Sequence, residues 1–98
     1  MPTFLVTEYR DGPEWDPAMP LHEQSSFSEH AAFMDALVAE GVVALGGPLA
    51  DGHRVVLVVN AESEQAVREW FQQDPWMGSH LSIAGIERWT ILLDARRP

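Results

Sequence analysis

The 98-residue chain contains no cysteine and no lysine, and only one tyrosine. Without cysteine there is no disulfide, no thiolate nucleophile and no thiolate metal site. All positive charge rests on six Lys+Arg positions, every one an arginine, against 15 acidic residues, for a net charge of −9. So acidic a chain lacks the clustered positive charge that phosphate backbones and anionic bilayers require, which argues against nucleic acid and membrane surfaces as partners. No apolar run approaches the ~18 residues of a membrane span. No stretch at the beginning reads as a basic start followed by a long apolar segment, so a cytoplasmic location is expected. Internal repeats and low-complexity tracts are missing too. What remains is one domain of ordinary apolar content, 46%, short enough to gain core by pairing with a second copy.

Along the chain, residues 3–9 are rich in β-branched and aromatic types and predict a strand. Residues 10–23 hold Gly12, Pro13, Pro17 and Pro20 and predict a loop, long for so small a domain. Its Trp15, Met19 and Leu21 imply that it folds back over something apolar. Ser26-x-x-Glu29 has the spacing of a capping box and opens a helix expected over 27–40. Gly41 stands at the place of a left-handed stop, and Phe27, Ala31, Met34 and Val38 mark the buried stripe, with Phe33 and Leu37 beside it. A short strand is expected over 42–45, broken by Gly46-Gly47-Pro48, and the most apolar strand over 53–60. Ser63 caps a second helix expected over 64–73, burying Ala66, Val67, Trp70 and Phe71 and stopped by Pro75. Residues 81–93 read as a last, long strand bent near Gly85.

The order βαββαβ predicts an α+β, ferredoxin-like domain: one antiparallel four-stranded sheet with both helices on one face. Phe4 and Val6 then oppose Leu5 and Tyr9 across the first strand, and Ile83, Trp89 and Ile91 oppose Ala84, Ile86 and Leu92 across the last. Two helices cover one face only, so the other apolar face is expected to pair with a second copy in a homodimer.

The topology places the start of the first helix and the end of the second at the same end of the sheet. His30, Asp74, Trp76, Arg10, the Gly47-Pro48 turn and His53 gather there. A carboxylate bonded to one imidazole nitrogen makes the other a better base, so His30 with Asp74 is a candidate acid–base pair. Apolar walls from Phe27, Met34 and Trp76 suit an apolar or aromatic ligand. Each residue also has a plainer reading: His30 as a packed histidine at the edge of the helical stripe, Asp74-Pro75 as a helix stop, and Trp70 and Trp76 as core. His22, His53 and His80 lack the spacing of a metal motif, so no metal is expected.

His30 with Leu37 and Gly41 after it, Gly46-Gly47-Pro48, Ala66 and Asp74-Pro75-Trp76 occur in an order and spacing that resembles the YCII-related (YciI-like) family over roughly residues 3–92. The resemblance implies a dimeric α+β barrel and no cofactor, with a proposed active-site His and Asp that fall on His30 and Asp74. Characterised relatives include a dehydrochlorinase of a chlorinated hydroxyhydroquinone, and the wider superfamily holds muconolactone isomerases and small monooxygenases of aromatic substrates. Many relatives carry a basic residue shortly before the histidine. Here that stretch is Ser25-Ser26-Phe27-Ser28, and Arg10 is the candidate to supply the charge from the loop. The expected function is a cofactor-free lyase or isomerase acting on a small oxygenated cyclic or aromatic substrate. His30 and Asp74 would be catalytic, with Arg10, Gly47, Pro48 and Trp76 binding substrate. A non-catalytic ligand-binding dimer and a pure interaction module are the alternatives.

Overall fold

A computed structural model describes residues 1–96. In chain order its elements are β1 (Thr3–Tyr9), α1 (Phe27–Ala39), β2 (Val43–Pro48), β3 (Arg54–Asn60), α2 (Glu64–Phe71) and β4 (Ser82–Arg88), with a single 3-10 turn at Leu21–Glu23 in the long loop. The sheet order is β2-β3-β1-β4 and every neighbouring pair is antiparallel. This is the α+β, ferredoxin-like arrangement that the element order predicts.

The core lies between the helices and one face of the sheet. Phe4 and Val6 of β1, Val43 of β2 and Leu57 and Val59 of β3 pack there with Leu37 of α1 and Val67 and Phe71 of α2. On the opposite face Leu5 pairs with Val58, and Val58 in turn with Leu45, so three apolar residues form a row across β1, β3 and β2.

Local signals account for most of the boundaries. Ser63 accepts a hydrogen bond from the Ala66 N–H at 3.1 Å and caps α2. Gly41 ends α1 at φ 76°, where its N–H donates to the Val38 carbonyl and that of Val42 to Leu37, the paired bonds of a Schellman stop. The stripe of α1 is rotated from its expected position, with Leu37 buried and Val38 53% exposed.

Four expectations are corrected. The capping box does not form: Ser26 sits at φ 57° and ψ 24° with no side-chain cap, and the Gln24 carbonyl accepts the Phe27 N–H instead. The chain turns sharply out of the loop there, and a left-handed serine costs ~1–2 kcal/mol that its surroundings must offset. Gly46-Gly47-Pro48 does not break β2 but completes it, pairing with Leu57, Val56 and Val55. Proline is tolerated because β2 is an edge strand. Residues 89–93 are not strand; β4 stops at Arg88. Finally, Ile83 and Ile86 do not oppose each other. The β1–β4 register shifts between Thr7 and Glu8, whose partners are Gly85 and Ile83, so the extra residue Ala84 forms a bulge and both isoleucines face the core.

Candidate active site

The end of the sheet where β1, β2 and β3 meet α1 carries a cavity of about 170 Å3, lined by Glu8, Arg10, Leu21, His30, Met34, Gly46, Gly47, Pro48, Val55, Leu57, Trp76 and Leu81. A cavity of roughly 150 Å3 holds one benzene ring, so this one accommodates a single substituted ring.

His30 comes from the first turn of α1 and Asp74 from the turn that follows α2. The His30 Nδ1 and Asp74 Oδ1 are 2.8 Å apart. A carboxylate can only accept, so Nδ1 carries the proton, and in the neutral ring Nε2 presents a lone pair. Nε2 makes no hydrogen bond among the described residues. Asp74 itself is held rigidly, with Oδ1 also accepting the Trp76 N–H at 2.9 Å and Met77 N–H bonded to its carbonyl. The Asp-Pro pair is thus a turn and an imidazole anchor at once. Its side chain is fully buried, and that of His30 is 16% exposed.

Trp76 is the platform of the site. Its indole stacks on His30, centroids 4.0 Å apart, and also on His80 at 4.6 Å. Its Nε1–H donates to the Ser25 carbonyl at 2.8 Å. His80, 1% exposed, is held between the Ser25 and Ser79 hydroxyls at 2.9 and 2.8 Å. Trp15 meets Trp76 edge-on at 5.8 Å.

The long loop closes this end, as its apolar residues implied. Gly12 and Glu14 donate backbone bonds to the His80 and Ser79 carbonyls. The buried Gln24 amide fastens the loop to itself through the Asp16 and Met19 carbonyls and the Asp16 N–H. Arg10 donates to the Gly52 carbonyl at 3.0 Å and lies 4.6 Å over the Trp15 ring. Burial holds its guanidinium below the usual arginine range.

Of the residues singled out in the sequence, His30, Arg10, Gly47, Pro48 and Trp76 all line the cavity, and Asp74 backs His30 from behind. His53 does not join them. It stacks on Tyr9 at 5.0 Å and lines a larger, neighbouring hollow of about 690 Å3 shared with Arg10, Trp15 and Leu21. The polar groups His30 and Glu8 converge on the smaller cavity. Gly47 and Pro48 are strand rather than turn, and Pro48 has no N–H to offer a ligand. Gly46 supplies room for Leu57, since a Cβ there would stand 2.8 Å from Leu57 Cδ2, whereas one on Gly47 would meet nothing within 4 Å.

Sequence reasoning missed Glu8, which is 2% exposed and lines the cavity. Its signal was present, since Phe4, Val6 and Glu8 alternate on one face and an acid falls where the third apolar residue belongs. Burial, with Asp74 nearby as a smaller cause, pushes its carboxyl up from 4.5 to about 8. Gln24 and His80 were also missed, and nothing in their spacing marks them. Among the described residues no three His, Asp or Glu side chains group as metal ligands, and no helix is long and apolar enough to cross a membrane.

The fold and the cavity define a small ferredoxin-like protein with a hydrogen-bonded His–Asp pair at the cavity wall. The YCII-related domain model matches residues 4–90, nearly the whole chain, and the protein belongs to that family. No curated protein and no solved structure matches the chain.

Proposed function

We propose that the protein is a cofactor-independent enzyme of the lyase or isomerase type, in which His30 moves a proton on a small oxygenated cyclic or aromatic substrate. The observation that carries the reading is the 2.8 Å bond from His30 Nδ1–H to Asp74 at the wall of a one-ring cavity. It leaves Nε2 as the available base and gives the imidazolium that forms a carboxylate partner. Arg10 is the cavity's cation, with a buried Nε that has no partner among the described residues, and it would hold a substrate hydroxyl, phenolate or carboxylate. Met34, Trp76 and Pro48 would grip the ring and exclude water.

The reading includes a homodimer through the open sheet face. Its support is the Leu45–Val58–Leu5 row, with Leu45 50% and Tyr9 37% exposed. At ~25 cal/mol per Å2, covering a few hundred apolar Å2 is a substantial stabilisation.

The test is turnover of a panel of hydroxyquinols, halogenated hydroxyquinols and lactones by the wild type and by His30→Ala. Loss of a general base costs ~100-fold or more. Equal rates remove His30 from the mechanism. Binding without turnover supports a ligand-binding protein instead.

A further inference from the structure

A single base does not complete a proton transfer of this kind, because the charge it creates on the substrate must be quenched. The same cavity holds a second titratable group. Glu8 projects from β1 onto the core face, between its strand partners Val55 of β3 and Ile83 of β4. Its Oε2 is buried and has no hydrogen-bond partner among the described residues. An apolar side chain would fit the stripe begun by Phe4 and Val6 at less cost, since an unpartnered buried carboxyl is destabilising. No hydrogen bond or ion pair among the described residues accounts for the carboxyl, and it stands at the wall of the His30 cavity.

We propose that Glu8 is the second proton-transferring residue of this cavity, the acid that works opposite His30 on the bound ring. The inference rests on the catalytic reading of His30. The charged and titratable groups around Glu8 are Arg10 just after β1, His30 from α1 and Asp74 from the turn after α2. The cavity positions from β2 and β3 are Gly46, Gly47, Pro48, Val55 and Leu57, and Leu81 lies just before β4; all are uncharged. Desolvation and the neighbouring Asp74 carboxylate both favour the neutral acid, so Glu8 has a proton to give at neutral pH.

The step balances without a co-reactant. His30 Nε2 takes a proton from a substrate carbon, and that C–H pair forms a new C=C bond. In an isomerisation the carbonyl π pair moves to oxygen, which takes the Glu8 proton and becomes an enol. In an elimination the bond to the leaving group breaks instead, and the departing anion takes that proton. Either way His30 ends as imidazolium and Glu8 as carboxylate. The pair resets when Glu8 recovers a proton and His30 loses one. The substrate class follows: a ring bearing a carbonyl or a leaving group one or two atoms from an acidic C–H.

The test uses Glu8→Gln, which keeps size and polarity but has no proton to transfer, beside His30→Ala. The 13C shift of the Glu8 carboxyl is titrated in the free protein, and pH–rate profiles are taken with whichever panel compound the wild type converts. The expected results are a Glu8 midpoint well above the carboxylate range and a kcat at least ~100-fold lower in Glu8→Gln with KM little changed. The alkaline limb of the wild-type profile disappears in the variant. A midpoint near ~4, or turnover that needs His30 but not Glu8, overturns the acid role alone. A wild type that converts no panel compound overturns both the acid role and the reading beneath it.

Discussion

The His30 imidazole lies parallel to the Trp76 indole, centroids 4.0 Å apart and planes 6° from coplanar. This contact orients the ring that Asp74 anchors, and the π face favours the imidazolium that the proposed proton transfer would produce. Trp76→Phe keeps an aromatic platform but loses the Nε1–Ser25 bond, and is expected to cost ~1 kcal/mol in chemical denaturation. Trp76→Ala removes a buried platform touched by Trp15, Phe27, His30 and His80 and is expected to cost ~3–5 kcal/mol.

Asp74→Ala removes the acceptor that fixes the His30 proton on Nδ1. The ring is then no longer held as the Nδ1–H tautomer, and a proton that moves to Nε2 blocks it as a base. Turnover on a convertible panel compound is expected to fall ~100-fold to 10,000-fold with KM nearly unchanged, the pattern of tautomer loss. 15N NMR of the His30 ring checks the cause directly: Nδ1–H in the wild type, a shift toward Nε2–H in the variant. An unchanged tautomer removes the orienting role.

Glu8 links stability to pH. Its folded-state value of about 8 lies above its ordinary value of 4.5, so its neutral form is tolerated in the fold and its ionised form is not. The sign is therefore a loss of stability as pH rises from 4.5 through about 8, levelling off above. At ~1.4 kcal/mol per unit this amounts to a few kcal/mol. Denaturation midpoints of Glu8→Gln should match the wild type in acid and exceed it increasingly toward alkaline pH. Parallel curves would remove the linkage.

Gly12 lies against the backbone of the turn before β4, where an added Cβ would stand 2.3 Å from the Ser79 carbonyl oxygen. Gly12→Ala must push the loop off its two backbone bonds to residues 79 and 80. A loss of ~1–3 kcal/mol is expected, with faster proteolysis confined to residues 11–20. Gly85→Ala, with nothing within 4 Å of its Cβ, is the control expected to show neither.

Leu45 is half exposed at 50%, so Leu45→Glu costs the folded monomer little. In the proposed dimer it places a charge on the buried sheet face. Sedimentation is expected to show the wild type as a dimer and the variant shifted to monomer. A monomeric wild type overturns the pairing.

Much of this was legible in the residues. The β-branched runs, the Ser63 cap, the Gly41 stop and the Asp74-Pro75 turn are local decisions, and they account for the element order and hence the sheet topology. That order alone brought His30 and Asp74 to one end of the sheet, and their 2.8 Å bond follows the topology. Tertiary structure decided what local rules cannot. A one-residue bulge at Ala84 turned Ile83 onto the core face, because register belongs to a pair of strands. Ser26 gave up its capping role because the loop behind it is tied down by Gln24. Glu8 reads locally as one acid in a strand. Only the meeting of β1, β2, β3 and α1 with the turn after α2 removes it from water, and desolvation depends on neighbours that lie far away in the chain.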